Sequence, residues 1–159
     1  MITVEELFDY AVDTDMSLTA HSIFWAITNH KIRMDEDCEK LKEIEFDQEA
    51  IQQSMKENTL RIGEIKLFVV KSTQPNWYAF YLGKKEADAY RLHSETFRET
   101  GVKVTHADRL MPNLLTFAES GREESLYEYR KRMVQFPVYV GHVEAGKRLV
   151  HRVLEARKR

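Results

Sequence analysis

Apolar residues recur with a helical period over the first 58 positions and with a period of two after that, so the pattern splits the chain into a helical part and a strand-bearing part. Val4, Leu7, Phe8 and Ala11 follow the i, i+3, i+4, i+7 spacing of one buried helix face. Thr3 stands where an N-cap belongs, Glu6 three residues on completes a capping box, and Ile2 is placed to staple against Leu7. Asp13-Thr14-Asp15 interrupts the pattern. Ser17 can then cap a second helix with Ala20, Ile23, Phe24 and Ile27 as its stripe, so residues 3–30 read as a helical hairpin. The polar run 31–41 reads as a loop or short helix, and residues 41–46 as either a helix tail or a short edge strand. Asp47 predicts the start of a helix over residues 48–57, with Ile51 and Met55 facing inward.

Past Asn58, Leu60 and Ile62 alternate with polar neighbours, Gly63 interrupts, and Ile65, Leu67 and Val69 resume in the opposite phase, which predicts a strand bulged near Gly63. A turn over residues 72–76 leads to the aromatic run Trp77 to Leu82, making residues 60–82 an antiparallel β-hairpin. Residues 84–100 read as a helix stopped by Gly101, and Val102, Val104 and His106 as a third strand. The resulting strand-helix-strand unit is a right-handed crossover where its two strands are parallel neighbours. Pro112 breaks any helix in 108–120, residues 123–133 have helical spacing, and 136–140 suits an edge strand with its proline at the start. Residues 147–159 read as a helix with Leu149, Val150, Val153 and Leu154 in one stripe. The expected fold class is α+β: a helical hairpin packed with a small sheet and a C-terminal helix. Residues 1–159 form one domain, with 1–58 as a helical subdomain and 59–159 as the α+β part.

Composition narrows the class. With 43% of its 159 residues apolar the chain can bury a core unaided, and its longest apolar run, Trp77 to Leu82, is too short to span a bilayer. A single cysteine, Cys38, forms no intrachain disulfide, and an acidic amino terminus does not resemble a secretory leader, so a cytoplasmic chain is expected. The net charge of −2 conceals a segregation: residues 1–60 hold 14 acidic and 5 basic side chains, residues 61–159 hold 12 acidic and 19 basic. The cations Arg130, Lys131, Arg132, Lys147, Arg148, Arg152 and Arg157 are the candidate contacts for a partner. That partner is expected to be a protein. The alternative is a nucleic acid whose phosphates meet these cations while Trp77, Tyr78, Phe80 or Tyr81 stack on bases. The plain reading beside both is that the basic helix docks on the acidic part and is neutralised there.

Catalytic chemistry finds little support, and no catalytic residue is assigned. Cys38 sits among Asp35, Glu36, Asp37 and Glu39, whose charge opposes thiolate formation. The paired carboxylates lie in polar surroundings that leave them ionised. Gly141, Gly146 and Lys147 have the spacing of a phosphate-binding loop, but Arg148 replaces the hydroxyl residue such a loop uses on magnesium. No cofactor and no metal are implied. The nearest approach to a ligand set is His106 and Asp108 on one strand end with His142 and Glu144 on another, and the same four are the place to look for an unfamiliar enzyme site.

The segment KLFVVKSTQPNWYAFYLGKKEADAYRLHSETF, residues 66–97, resembles small uncharacterised accessory proteins carried by Gram-positive bacteria, their prophages and plasmids. The resemblance implies an accessory protein of mobile-element type and no particular activity. The expectation is a small non-enzymatic intracellular protein that binds another macromolecule.

Overall fold

In the computed structural model, which describes residues 1–152, the fold is α+β and the chain divides into two units, Met1–Gly63 and Glu64–Arg159. The first unit is helical. Helix α1 (Val4–Asp13) starts at the expected box: Thr3 Oγ1 accepts from the Glu6 amide at 3.1 Å, and Glu6 Oε1 accepts from the Thr3 amide at 3.1 Å. Two amide donors that a helix start leaves without intrahelical partners are thereby satisfied. Helix α2 (Ser17–Thr28) follows after three residues, but Ser17 is not its cap. The chain turns through Asp15, at φ 59°, with the Met16 amide on the Ala11 carbonyl at 2.8 Å, so Met16 takes the cap position and Ser17 lies inside the helix. Its carbonyl instead meets His21 Nδ1, one turn on, at 2.9 Å. The polar run leads into a 3₁₀ turn, Cys38–Glu43, capped by Asp37. Helix α3 (Gln48–Glu57) begins where predicted, with Asp47 Oδ1 accepting from the Ala50 amide at 3.1 Å. Val4, Ile23, Ala26 and Ile32 are buried together as this unit's core.

In the second unit β1 (Lys66–Lys71) and β2 (Trp77–Gly83) form the antiparallel hairpin, Lys66 opposite Gly83 and Lys71 opposite Tyr78. Residues 60–65, expected to be part of it, are not strand. The Asn58 side chain brackets Ile62, accepting from its amide at 2.9 Å and donating to its carbonyl at 2.8 Å, while Arg61 and Gly63 take positive φ. The apolar alternation there belongs to a locked turn. Helix α4 (Glu86–Phe97) then carries the chain to β3 (Val104–His106), which pairs with the far side of β1. Thus β2 and β3 run parallel but are not neighbours, since β1 lies between them. Helix α5 (Leu126–Arg132) starts at a second capping box, Ser125 with Glu128. It begins three residues later than its spacing suggested because β5 (Arg122–Ser125) pairs with β4 (Leu114–Phe117). Strand β6 (Val138–Glu144) joins β2, giving the sheet order β3-β1-β2-β6.

The expected C-terminal helix is absent from residues 147–152. Leu149 and Val150 form β7, parallel to β4, with the Thr116 amide on the Arg148 carbonyl at 2.9 Å and the Ala118 amide on the Val150 carbonyl at 2.8 Å. Gly146, at φ 80°, turns the chain back from β6, and β4 supplies ladder partners that outweigh the helical spacing of the side chains. Val153, Leu154 and the rest of that predicted helix lie outside the described residues.

The sheet carries a packed apolar cluster on each face. One face sets Phe68, Val70, Ala79 and Tyr81 beneath Ala89, Leu92 and Phe97. The other sets Leu67, Leu82 and Val140 against Met111, Leu115, Phe117, Leu126 and Val150.

Candidate binding groove

That second face is covered at its Leu67 and Leu82 end and open at the other. Register and side-chain alternation determine what the open end displays. Thr105 lies opposite Val69, Val69 opposite Phe80, Lys71 opposite Tyr78, and Tyr78 opposite Val143. Two adjacent rows of side chains, Thr105, Val69 and Phe80 in one and Lys71, Tyr78 and Val143 in the other, therefore floor a cavity of about 520 Å³. Its walls rise at the two edges. After β3 come Ala107, Arg109, Leu110 and Asn113; after β6 comes the turn Glu144 to Arg148. Between the edges are three inter-strand spacings, about 14 Å.

Both walls are braced. Asp108 Oδ1 accepts from the Leu67 amide at 2.8 Å and its Oδ2 sits 3.0 Å from His106 Nε2, which holds the turn carrying Arg109 against β1. The opposite turn is tied by the Ala145 amide to the Asn76 carbonyl at 2.7 Å and by the Arg148 carbonyl to β4. Four cations line the cavity. Lys147 is neutralised by Glu144 at 2.8 Å, whereas Lys71, Arg109 and Arg148 have no ion-pair partner among the described residues.

The candidate cations from the sequence do not gather on one surface. Lys147 and Arg148 line the groove. Arg130 Nη1 donates to the Ile65 carbonyl at 3.1 Å and its guanidinium lies 5.4 Å from the Tyr127 ring centre. Arg132 is paired with Glu124 and covers the Tyr129 ring; Lys131 is exposed between these two arginines at the end of α5. Arg152 donates to the Tyr139 carbonyl at 3.2 Å, and with Arg122 and Arg132 it lines a second cavity, of about 460 Å³, that also holds Glu119 and Glu124. Arg157 lies outside the described residues. Lys71, Arg109 and Asn113 were missed by sequence reasoning. Lys71 was readable as the continuation of the Leu67, Val69 alternation, while nothing local marks the other two.

The four weak metal candidates are kept apart. His106 and Asp108 follow one edge strand, while His142 and Glu144 lie on the other edge strand of the same sheet. His142 is buried, with Nδ1 2.6 Å from Tyr139 Oη and its ring against Trp77. Among the described residues no three or more His, Cys, Asp or Glu side chains are placed to hold a metal ion. The Gly141 to Arg148 segment is strand-turn-strand, so no helix start follows its lysine and the phosphate-loop likeness ends with the spacing. Of the aromatics offered for stacking, Tyr78 lines the groove half-exposed, Phe80 is 6% exposed, and Tyr81 is fully buried. No described helix is long and apolar enough to cross a membrane.

Compared with known proteins, the chain matches no family model, no curated protein and no solved structure.

Proposed function

We propose that this chain is a non-enzymatic binding protein whose partner is another protein, engaged through the groove on its second unit. The observation that carries this reading is the pairing of a largely apolar floor with cations carried on both walls. A concave, largely apolar cavity of several hundred Å³ with a few placed polar groups is the usual form of a recognition site. Its lining supplies apolar surface and an excess of positive charge, which select a ligand. Val69, Leu110, Leu115 and Val143 favour side chains over a sugar-phosphate chain, and Tyr78, the one half-exposed ring of the lining, is a poor platform for successive bases. Arg130, Arg132 and Arg152 are engaged within the fold, which further weakens the nucleic-acid alternative.

With it we propose the intracellular accessory role that the resemblance of residues 66–97 implies. That stretch coincides with β1, β2 and α4, which carry the middle of the groove floor and its backing.

A photo-crosslinking residue at Thr105, exposed at the groove, tests the reading against the same residue at Glu123, exposed on β5. In cells producing the protein, capture of one partner protein from position 105 and not from 123 is expected. Equal capture from both positions, or nucleic acid captured from 105, overturns it.

A further inference from the structure

Resting on that reading, we infer that the partner segment seated in the groove is an extended peptide of the form acidic-x-apolar-x-acidic. Charge and spacing both lead there. Lys71 ends β1, Arg109 follows β3 and Arg148 precedes β7, so three rigid elements each deliver a cation to one apolar cavity, and no carboxylate among the described residues neutralises them. Like charges around a low-dielectric surface repel one another, and a ligand that brings carboxylates relieves this while gaining charge-assisted hydrogen bonds. The one carboxylate at the rim, Glu144, is already paired with Lys147.

Spacing selects the pattern. An extended chain rises about 3.3 Å per residue and presents alternate side chains to one face, so its first, third and fifth side chains share a face and the outer two stand about 13 Å apart. The groove walls stand about 14 Å apart, on the strand spacing of the sheet between them. A five-residue segment laid across the strands therefore puts one carboxylate at the Arg109 wall and one at the Arg148 wall. Its central side chain rests on Val69, Tyr78 and Val143. A lone phosphate satisfies one wall and leaves the floor bare.

The test is fluorescence anisotropy with labelled Gly-Glu-Ser-Phe-Ser-Glu-Gly, its double Glu→Gln form, its Phe→Ser form, inorganic phosphate as competitor, and a labelled ten-residue oligothymidylate. The first peptide is expected to bind with a Kd of about 1–100 μM, and each altered peptide about tenfold or more weaker. R109E and R148E are expected to weaken the first peptide by a similar factor, while K103E, exposed and outside the groove, leaves it unchanged. Circular dichroism confirms that the variants fold, as their wild-type side chains are exposed. Equal binding of the Glu→Gln peptide, no binding of the first peptide, full displacement by millimolar phosphate, or tighter binding of the oligonucleotide with loss in R148E overturns the inference. The crosslink at position 105 separates the two failures. A captured protein joined through a segment without this pattern overturns the inference alone, and capture of no protein overturns the reading beneath it.

Discussion

The hydroxyl of Tyr81 lies 2.5 Å from Nδ1 of His93, and both side chains are completely buried. The other ring nitrogen of His93 is 2.7 Å from Glu99 Oε1, and the Glu99 carboxylate accepts from the Thr73 amide and the Ser72 hydroxyl, each at 3.2 Å. One polar chain thus joins the central strand β2, helix α4 and the β1–β2 turn on the face opposite the groove.

Breaking that chain should cost stability and spare binding. His93→Phe keeps an aromatic ring, somewhat larger than the imidazole, but removes both hydrogen bonds, a loss of about 2–4 kcal/mol. Urea unfolding followed by circular dichroism checks this, with His93→Gln expected to recover part of the loss and peptide affinity expected to stay level in both.

Gly141 should tolerate no side chain. It sits at φ 150°, and a Cβ there would lie 2.9 Å from the His151 carbonyl oxygen and overlap the Val150 side chain, because β7 crosses directly over it. Gly141→Ala is expected to lose roughly 2 kcal/mol or more, from left-handed strain added to overpacking. A thermal melt of the variant would show it, and an unchanged midpoint would contradict this packing.

Acid should loosen α1 through Glu6. Hydrogen bonds from the Thr3 amide and hydroxyl hold its carboxyl below the usual 4.5. The contribution is complete above the unfolded value and is lost as pH falls through the lower folded one. The protection of amides at the start of α1 against exchange should therefore fall below about pH 4.5, and Glu6→Gln should show much of that loss already at pH 7.

At the alkaline end Tyr129 should limit stability. Burial against Phe117 raises its phenol above the usual 10.0, with Arg152 opposing in part. The folded state keeps a proton that the unfolded chain has begun to lose, so stability falls as pH rises past 10.0. Tyr129→Phe is expected to flatten that limb of a melting-temperature profile.

What was legible in the sequence was local. Thr3 with Glu6 and Asp47 with Ala50 are neighbours along the chain, so the starts of α1 and α3 could be read to the residue. Leu149 and Val150 share a spacing with Val153 and Leu154 that fits a helix, and only the distant β4 makes the first two a strand. The apolar alternation of Leu60 and Ile62 misled because the Asn58 side chain, not a neighbouring strand, satisfies the Ile62 backbone. For the site, Lys147 and Arg148 were marked by charge, but their association with Lys71 and Arg109 depends on strand order. The same strand order separates His106 and Asp108 from His142 and Glu144, since β6 pairs with β2 and not with β3.

The insertion of β6 beside β2 also orders events during synthesis. The β1–β2 hairpin closes between near neighbours, Lys71 with Tyr78, whereas Trp77 waits for Glu144 and the small sheet waits for Val150. Contacts so far apart along the chain close late. A nascent chain released before Val138 emerges therefore lacks Val140, Val143 and Val150 of that core and has β2 as an unpaired edge. Such an edge is a template for another copy of the same hairpin, so interrupted translation should yield aggregates seeded by residues 66–83.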